Sequence, residues 1–215
     1  MAPSCTAPEI SFVCRAGNRL WGAAADGVSV YACADGDPLC WDRRMGDVSD
    51  SAEIAVGSPG KFTGAAALGD IPVFFKMSRI IRILGSRPDN FASDERAVPG
   101  VSASHSNAVC EADGSLYYLS DAGVFGWSGG RASPVSDRLG DGFAREARSL
   151  AVRGAELWIA CEEGICVIDL RSGAVSFRDP SPKVIFPFGG AVYYSFSGYL
   201  WRVGSADDET EVTGT

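Results

Sequence analysis

The sequence is poor in histidine and in basic residues, and both shortages exclude kinds of function. Among 215 residues there is one histidine, His105, which excludes a metal site built from several histidines of the chain. The chain has 19 Lys and Arg residues and 27 Asp and Glu residues, and its formal net charge is -8. Nucleic-acid binding needs a basic surface that replaces phosphate counterions, so we expect no nucleic-acid partner.

Long apolar segments and a regular set of cysteines are also lacking. No run of about 20 apolar residues occurs, so we expect no transmembrane helix and no membrane partner. The N-terminal "MAPSCTAPEISFV" has no basic segment followed by a long apolar one, and it predicts no secretory signal. The seven cysteines are odd in number and scattered, which argues against a complete disulfide framework. We therefore expect synthesis in a reducing cytoplasm, with later release by lysis or assembly.

Glycine is abundant, with 26 residues, and it punctuates a repeated pattern. The stretch "GSLYYLSDAGVFGW" (114–127) consists of two apolar runs separated by a polar break with a glycine. Similar stretches are "NRLWGAAADGVSVYA" from Asn18, "AELWIACEEGICVID" from Ala155 and "AVYYSFSGYLWRV" from Ala191. Glycine permits the positive φ of a tight turn, so each stretch is predicted to be a β-hairpin.

The spacing of these hairpins predicts the fold class. Their first strands begin near residues 19, 71, 115, 155 and 191, a period of roughly 35 to 50 residues that is typical of propeller blades. Short strands at regular spacing also fit a sandwich, but the repeat favours an all-β propeller of about five four-stranded antiparallel blades. We predict one domain, 1–215. Its blades are placed approximately at residues 9–44, 61–96, 106–139, 147–180 and 183–215.

Two connections are expected to present functional surfaces. In the first blade, "DPLCWDRR" (37–44) is predicted to supply the fourth strand, and the polar segment 43–60 a projecting loop. Loops of that length are often functional. Residues 86–105 form a second segment that is expected to face a partner.

Residues that could support catalysis or metal binding are few and isolated. His105 is not accompanied by a Gly-x-Ser-x-Gly nucleophile motif, and we interpret it as a turn or surface residue. Cys161 and Cys166 fall on successive strands of a predicted hairpin; core packing is favoured, with a cross-strand disulfide as the alternative. Asp35, Asp37 and Asp121 lie in turn sequences that offer too few oxygen ligands for an EF-hand calcium loop.

Paired acids on the innermost strands or exposed aromatic rings would indicate a sugar-cleaving or sugar-binding site. Propeller glycosidases need converging carboxylates, but the predicted innermost strands carry only one acid, Glu111. Trp41, Phe91, Phe143 and Trp127 could stack on sugars, yet packing between blades is the favoured interpretation. The sequence therefore predicts a protein that is not an enzyme, with no catalytic, cofactor-binding or metal-ligating residues and no cofactor.

Several short stretches resemble those of a known group of proteins. They are "NRLWG", "GDPLCWD", "KFTGAAALGDIPVFFKMSRIIRILGSRPDNF" and "GSLYYLSDAGVFGW", and the resemblance runs from about residue 16 to 203. The chain resembles propeller-type structural proteins of tailed phages and prophages, such as tail-hub or nozzle-like proteins. The resemblance implies a virion component near the neck or tail, and it carries over no catalytic residue.

These observations lead to one functional hypothesis and two alternatives. The hypothesis is a non-enzymatic scaffold or protein-interaction propeller that binds other protein subunits, including virion or tail proteins, or itself. The first alternative is a lectin-like, ligand-binding propeller with one equivalent pocket in each blade. The second, a glycoside hydrolase, requires the converging acids that the sequence does not supply.

Overall fold

The computed structural model describes residues 6–136, 139, 147–204 and 210–212. By contacts the chain divides into two compact units, Met1–Asn107 and Ala108–Thr215. Within the described residues the regular structure is almost all β, and a short 3-10 helix lies at Ala103–His105. The prediction that residues 1–215 form a single domain stays a prediction.

The first unit holds two four-stranded antiparallel sheets. The first sheet is formed by β1 Ile10–Ala16, β2 Arg19–Ala24, β3 Ser29–Ala32 and β4 Ala52–Ala55. The second sheet is formed by β5 Gly64–Leu68, β6 Ile71–Lys76, β7 Arg79–Leu84 and β8 Ala92–Arg96. In each sheet, strands that follow one another in the chain are neighbours.

The second unit holds three more sheets of the same kind. The third comprises β9 Val109–Ala112, β10 Ser115–Ser120, β11 Gly123–Trp127 and β12 Ser133–Pro134. The fourth comprises β13 Ser149–Arg153, β14 Glu156–Cys161, β15 Gly164–Asp169 and β16 Val175–Arg178. The fifth comprises β17 Val184–Phe188, β18 Ala191–Phe196, β19 Tyr199–Arg202 and β20 Thr210–Val212. The predicted all-β class with five four-stranded antiparallel blades is confirmed.

The repeated stretch 114–127 is the central hairpin of the third sheet, as its pattern predicts. It is entered through a two-residue turn in which Asp113 and Gly114 have φ of 48° and 71°. Two consecutive positive φ values match the twist of the flanking strands, and Asp-Gly is a preferred pair for such turns. Local turn chemistry thus sets the strand register from Ser115 onward.

Packing between sheets explains why some strands are apolar throughout. In β14, Leu157 and Ile159 join a core with residues of the third sheet, whereas Trp158 joins a core with residues of the fifth. The central strands β14 and β15 of the fourth sheet are therefore buried on both faces and need no polar face, whereas the outer strand β16 is exposed. In the first unit, Trp21 and Val30 of the first sheet share a core with Phe74 and Ile81 of the second.

One strand lies elsewhere than predicted. The fourth strand of the first sheet is β4, Ala52–Ala55, and not part of residues 37–44. Residues 37–44 mimic a strand because Cys40 and Trp41 are apolar, but both are buried inside a loop. The first blade therefore extends past the predicted boundary at residue 44, and β4 falls within the segment 43–60 that was predicted to be a projecting loop.

Candidate functional site

The connection between β3 and β4 is the feature that sets the first sheet apart. It runs from residue 33 to residue 51, nineteen residues, and we call it the β3–β4 loop. Among the described connections between third and fourth strands, the others span only residues 85–91, 128–132 and 170–174. Long ordered loops on a rigid scaffold often serve in binding.

A single carboxylate organises the outer part of the β3–β4 loop. The Oδ2 atom of Asp50 accepts hydrogen bonds from the backbone N–H groups of Met45, Gly46 and Asp47, at 2.5, 2.7 and 2.9 Å. Gly46 has a φ of +87°, a conformation that lets the three N–H groups converge on one oxygen. The chain therefore wraps around the Asp50 side chain.

The second oxygen of Asp50 is bound by an arginine of the same loop. The Nε atom of Arg43 donates to Oδ1 at 3.1 Å, and its terminal nitrogen donates to the carbonyl and hydroxyl of Ser49. Burial alone would raise the pKa of Asp50, but the backbone N–H donors and Arg43 together outweigh it, so the pKa is lowered. Asp50 is thus held as a carboxylate with both oxygens occupied.

Arg19, on β2, fastens the loop to the sheet. Only 8% of Arg19 is exposed, and its guanidinium donates to the carbonyl oxygens of Cys33, Asp50 and Val48. The same group lies 5.8 Å from the ring centroid of Phe91. A charged donor satisfies three loop carbonyls that would otherwise lose their hydration without compensation.

The inner part of the loop is packed as well. The indole N–H of Trp41 donates to the carbonyl of Pro38 at 3.0 Å, and Ala34 donates its N–H to the carbonyl of Cys40 at 2.7 Å. The hydroxyl of Ser51 donates to the carbonyl of Arg43 and closes the loop at its end. Internal hydrogen bonds therefore define the loop from one end to the other.

This ordered loop carries three large apolar side chains in solvent. Leu39 is 78% exposed, Met45 84% and Val48 58%. Single exposed apolar residues are common, and these three are distinguished by lying on one loop that is held in a defined shape. A preformed surface loses little conformational entropy when a partner binds.

A groove of about 400 Å³ lies beside the loop within the first unit. One wall is formed by the loop and the start of β4, and the other by the turn 87–89. Four carboxylates and two guanidinium groups line it; they belong to Asp47, Asp50, Glu53, Asp89, Arg44 and Arg87. Its charged side chains thus have a net charge of -2, which agrees in sign with the chain as a whole.

The candidate catalytic residues of the sequence lie apart from this loop or serve in turns. His105 ends the short 3-10 helix and is half-buried. Glu111 lies exposed on β9, where its carboxylate accepts the N–H of Gly114 at 2.9 Å. Cys161 and Cys166 are free thiols in the core of the second unit, and burial raises the pKa of Cys166 to about 12. Core packing, the favoured interpretation of these cysteines, is confirmed.

The turn acids considered for calcium have local roles. Asp37 accepts the N–H of Leu39 at 3.2 Å, and the N–H of Asp35 donates to the carbonyl of Ser49 at 2.8 Å. Asp121 lies exposed in the turn between β10 and β11. Over the described residues, no group of three or more His, Cys, Asp or Glu side chains is arranged to hold a metal ion.

Where the structure describes them, the aromatic residues that could stack on sugars pack within the chain. Trp41 is 8% and Trp127 1% exposed, and Phe91 packs edge-on against Trp21 at 5.0 Å. Phe143 lies outside the described residues. The two tryptophans are buried, and the half-buried Phe91 packs against the core of the first unit.

Lys76, at the end of β6, is a buried ionisable group that sequence reasoning missed. It is 2% exposed, and its Nζ donates to the carbonyls of Gly27 and Ser58 at 2.8 and 2.5 Å and lies over the ring of Phe62. Desolvation by burial lowers its pKa. With both carbonyls bound and no access to solvent, the ammonium group ties the first sheet to the second.

Comparison with known proteins supports the fold class but gives no close relative. No protein-family model matches the sequence, and no curated protein matches it. The chain is similar to PorZ, a surface component of the type-IX secretion system of Porphyromonas gingivalis, with a TM-score of 0.62 and 8% identity over 96% of this chain and 28% of PorZ. It is also similar to BamB from Moraxella catarrhalis, with a TM-score of 0.56 and 13% identity over 91% of this chain and 58% of BamB.

A third similar structure is the WD40 domain of Toxoplasma gondii coronin. The TM-score is 0.53 and the identity 12%, over 97% of this chain and 60% of that domain. At such identities the likeness concerns the fold alone, and it agrees with the propeller class. The chain spans 28% to 60% of the length of these three structures. Within the described residues, no helix has the length and apolar character that crossing a bilayer requires.

Proposed function

We propose that this protein is a non-enzymatic interaction module that binds another protein through the β3–β4 loop. The observation that supports the proposal is the exposure of Leu39, Met45 and Val48 on a loop whose backbone is fixed by Asp50, Arg43 and Arg19. Exposing apolar side chains has a solvation cost, and a partner surface that covers them recovers it.

The mechanism is docking of a preformed surface. Leu39, Met45 and Val48 enter apolar pockets of the partner, while the polar rim of the loop stays hydrated. The first sheet supports the loop, because the Arg19 side chain on β2 donates hydrogen bonds to three loop carbonyls. The propeller class of PorZ, BamB and coronin is compatible with such a role and does not identify the partner.

Site-specific photo-crosslinking tests the proposal. A photoreactive amino acid at position 45 is expected to trap one discrete partner in cells that make the protein. Position 77 provides a matched control, because Met77 is also exposed, at 53%, but lies on the turn between β6 and β7. Crosslinking at position 45 that is lost in the Leu39→Ser variant supports the proposal. Equal crosslinking at positions 45 and 77 contradicts it.

We further propose that the partner is a structural subunit of a phage or prophage particle. The support is the resemblance of stretches such as "NRLWG" and "GDPLCWD" to those of tailed-phage propeller proteins; "GDPLCWD" lies inside the β3–β4 loop. In this proposal the protein is made in the cytoplasm and ends in the virion. Mass spectrometry of particles purified after prophage induction tests it. Particles without this chain would show that the partner lies elsewhere.

A further inference from the structure

The outer edge of β4 borders the groove described above. Among the described strands, β4 pairs only with β3, with Glu53 opposite Tyr31 and Ile54 opposite Val30. Val56, which follows β4, donates its N–H to the carbonyl of Val28 at 2.8 Å. In an antiparallel ladder, hydrogen-bonded pairs alternate with non-hydrogen-bonded pairs. The backbone N–H and C=O of Ile54 therefore point toward β3, and those of Glu53 point away from β3.

The rest of this edge is covered. At one end, the N–H of Ser51 donates to the carbonyl of Arg43 at 2.9 Å. At the other end, the hydroxyl of Ser93 donates to the carbonyl of Ala55 at 3.1 Å. Glu53 thus marks the open part of the strand edge, and it lines the groove. Unpaired strand edges are sites where another chain adds by main-chain hydrogen bonds.

The charge of the groove selects the kind of chain that can add there. The Glu53 carboxylate is bound by Arg44 at 3.1 Å, and among the described residues Asp47 and Asp89 have no ion-pair partner. These two exposed carboxylates belong to the loop on one side and the turn 87–89 on the other. A cationic side chain between them is attracted to both carboxylates; Arg87, on the same turn as Asp89, opposes part of this attraction, but the net charge of the lining side chains is negative.

We propose that an extended, basic segment of the partner protein lies in this groove and pairs with the backbone of Glu53. The inference rests on the proposed function and names the chemistry of the partner. Because side chains alternate along a strand, the two residues that flank the one paired with Glu53 point to the same face of the added strand. Lysine or arginine at both flanking positions therefore places two cations on one face of the added strand, where the net negative lining of the groove attracts them.

Two end-blocked nonapeptides of opposite charge test the inference directly. One alternates lysine and valine, the other glutamate and valine, and binding is followed by NMR through the amide signals of Glu53 and its neighbours. The lysine peptide is expected to bind and to shift the Glu53 signal, and the glutamate peptide is not. Methylating the central peptide nitrogens removes the main-chain donors and is expected to weaken binding about fivefold.

Matched variants separate main-chain pairing from charge. Glu53→Pro removes the outward N–H, and Glu53→Ala keeps it while losing the same carboxylate; proline is tolerated at a strand edge when its nitrogen faces outward. Glu53→Pro is expected to bind the lysine peptide about fivefold more weakly than Glu53→Ala. Asp89→Asn is expected to weaken binding about twofold, and Asp70→Asn, on the turn between β5 and β6, to leave it unchanged.

The possible results separate this inference from the proposed function. Equal binding of both peptides, or no difference between Glu53→Pro and Glu53→Ala, overturns strand pairing by a basic segment. If Glu53→Pro does not fold, the methylated peptide still tests strand pairing. Binding of the methylated peptide with undiminished affinity would also overturn it. Absence of peptide binding together with specific crosslinking at position 45 rejects this inference alone. Peptide binding without that crosslinking rejects docking through the loop.

Discussion

The first and fourth sheets use the same device to connect their outer strands, with different outcomes. In the fourth sheet, Asp169 accepts the N–H groups of Arg171 and Ser172 and the hydroxyl of Ser172, and the connection closes within residues 170–174. In the first sheet, the connection is a nineteen-residue loop, and Asp50 accepts hydrogen bonds from the N–H groups of three residues of that loop. A carboxylate that gathers backbone donors can therefore close a short turn or fix a long projection.

The difference lies in what supports each carboxylate. Asp50 is buried and bound by Arg43, and the loop around it is held by the buried Arg19. Asp169 is half-buried, and its partners are the residues that follow it in the chain. The first arrangement depends on contacts distant in sequence and exposes Leu39, Met45 and Val48. The second exposes no comparable surface, because a connection of five residues leaves no room for one.

Removing Arg19 is expected to have the largest effect on stability. In Arg19→Met, three loop carbonyls lose a charged donor, and the free energy of unfolding is expected to fall by about 3 kcal/mol. Arg171→Met, in the short connection of the fourth sheet, is the matched control and should stay within about 0.5 kcal/mol of the unmodified protein. Urea unfolding measures both. Equal effects would show that the two connections are supported alike.

Asp50→Asn is expected to loosen the loop without unfolding the sheets. The amide keeps an oxygen acceptor but places an NH₂ group near Arg43, so the hydrogen bonds to residues 45–47 weaken. Cleavage by trypsin after Arg44 should accelerate on the order of tenfold, because cleavage tracks local opening. Asp169→Asn, read at Arg171, should show a smaller increase. A larger increase at Arg171 would reverse the comparison.

The stability difference between the unmodified protein and Asp50→Asn should depend on pH, and the sign of the dependence follows from the pKa of Asp50. The pKa of Asp50 is lowered from its ordinary value of 3.8, so the folded state binds this proton less readily than the unfolded state does. Its stabilisation is present above that value and is lost as pH falls below it. The difference in stability between the unmodified protein and Asp50→Asn should therefore be constant near pH 7 and shrink below about pH 4. Urea unfolding between pH 3 and pH 7 measures it, and a difference that grows on acidification would contradict the assignment.

The smallest effect on stability is expected at the exposed apolar residues. Met45→Ser should change the free energy of unfolding by less than about 0.5 kcal/mol, because the side chain is 84% exposed. Its effect on docking should be large, with a loss of crosslinking from position 48 to the partner. Thermal unfolding and crosslinking of the same preparation check both statements. A strong loss of stability would show that Met45 packs within the chain.

The sequence predicted the sheets better than the connections. Turn pairs such as Asp113–Gly114 and apolar runs such as "SLYYL" are local signals, and they placed the central hairpins correctly. The β4 strand, "AEIA", is short and rich in alanine, so its propensity is weak. The fourth strand was predicted at residues 37–44 because Cys40 and Trp41 are apolar. Burial in a loop and burial in a strand select the same residue types, so the sequence does not distinguish them.

The candidate site was predicted only in outline. The segment 43–60 was expected to project, and "RRMGDVSD" does carry a signal, an aspartate a few residues after a glycine turn. The contacts of Arg19 with Val48 and Asp50 could not be predicted, because they join β2 to residues about thirty positions away. The open edge at Glu53 depends on the ladder register and on Ser93 of another sheet.

Amide hydrogen exchange in the free protein tests most directly the claim that the docking loop is preformed. At neutral pH, the N–H groups of Met45, Gly46 and Asp47 are expected to exchange at least tenfold more slowly than in an unstructured peptide, because each donates to Asp50. The protection should be lost in Asp50→Asn while the amides of β2 and β3 stay protected. Exchange of these three amides at the unstructured rate in the unmodified protein would contradict the account.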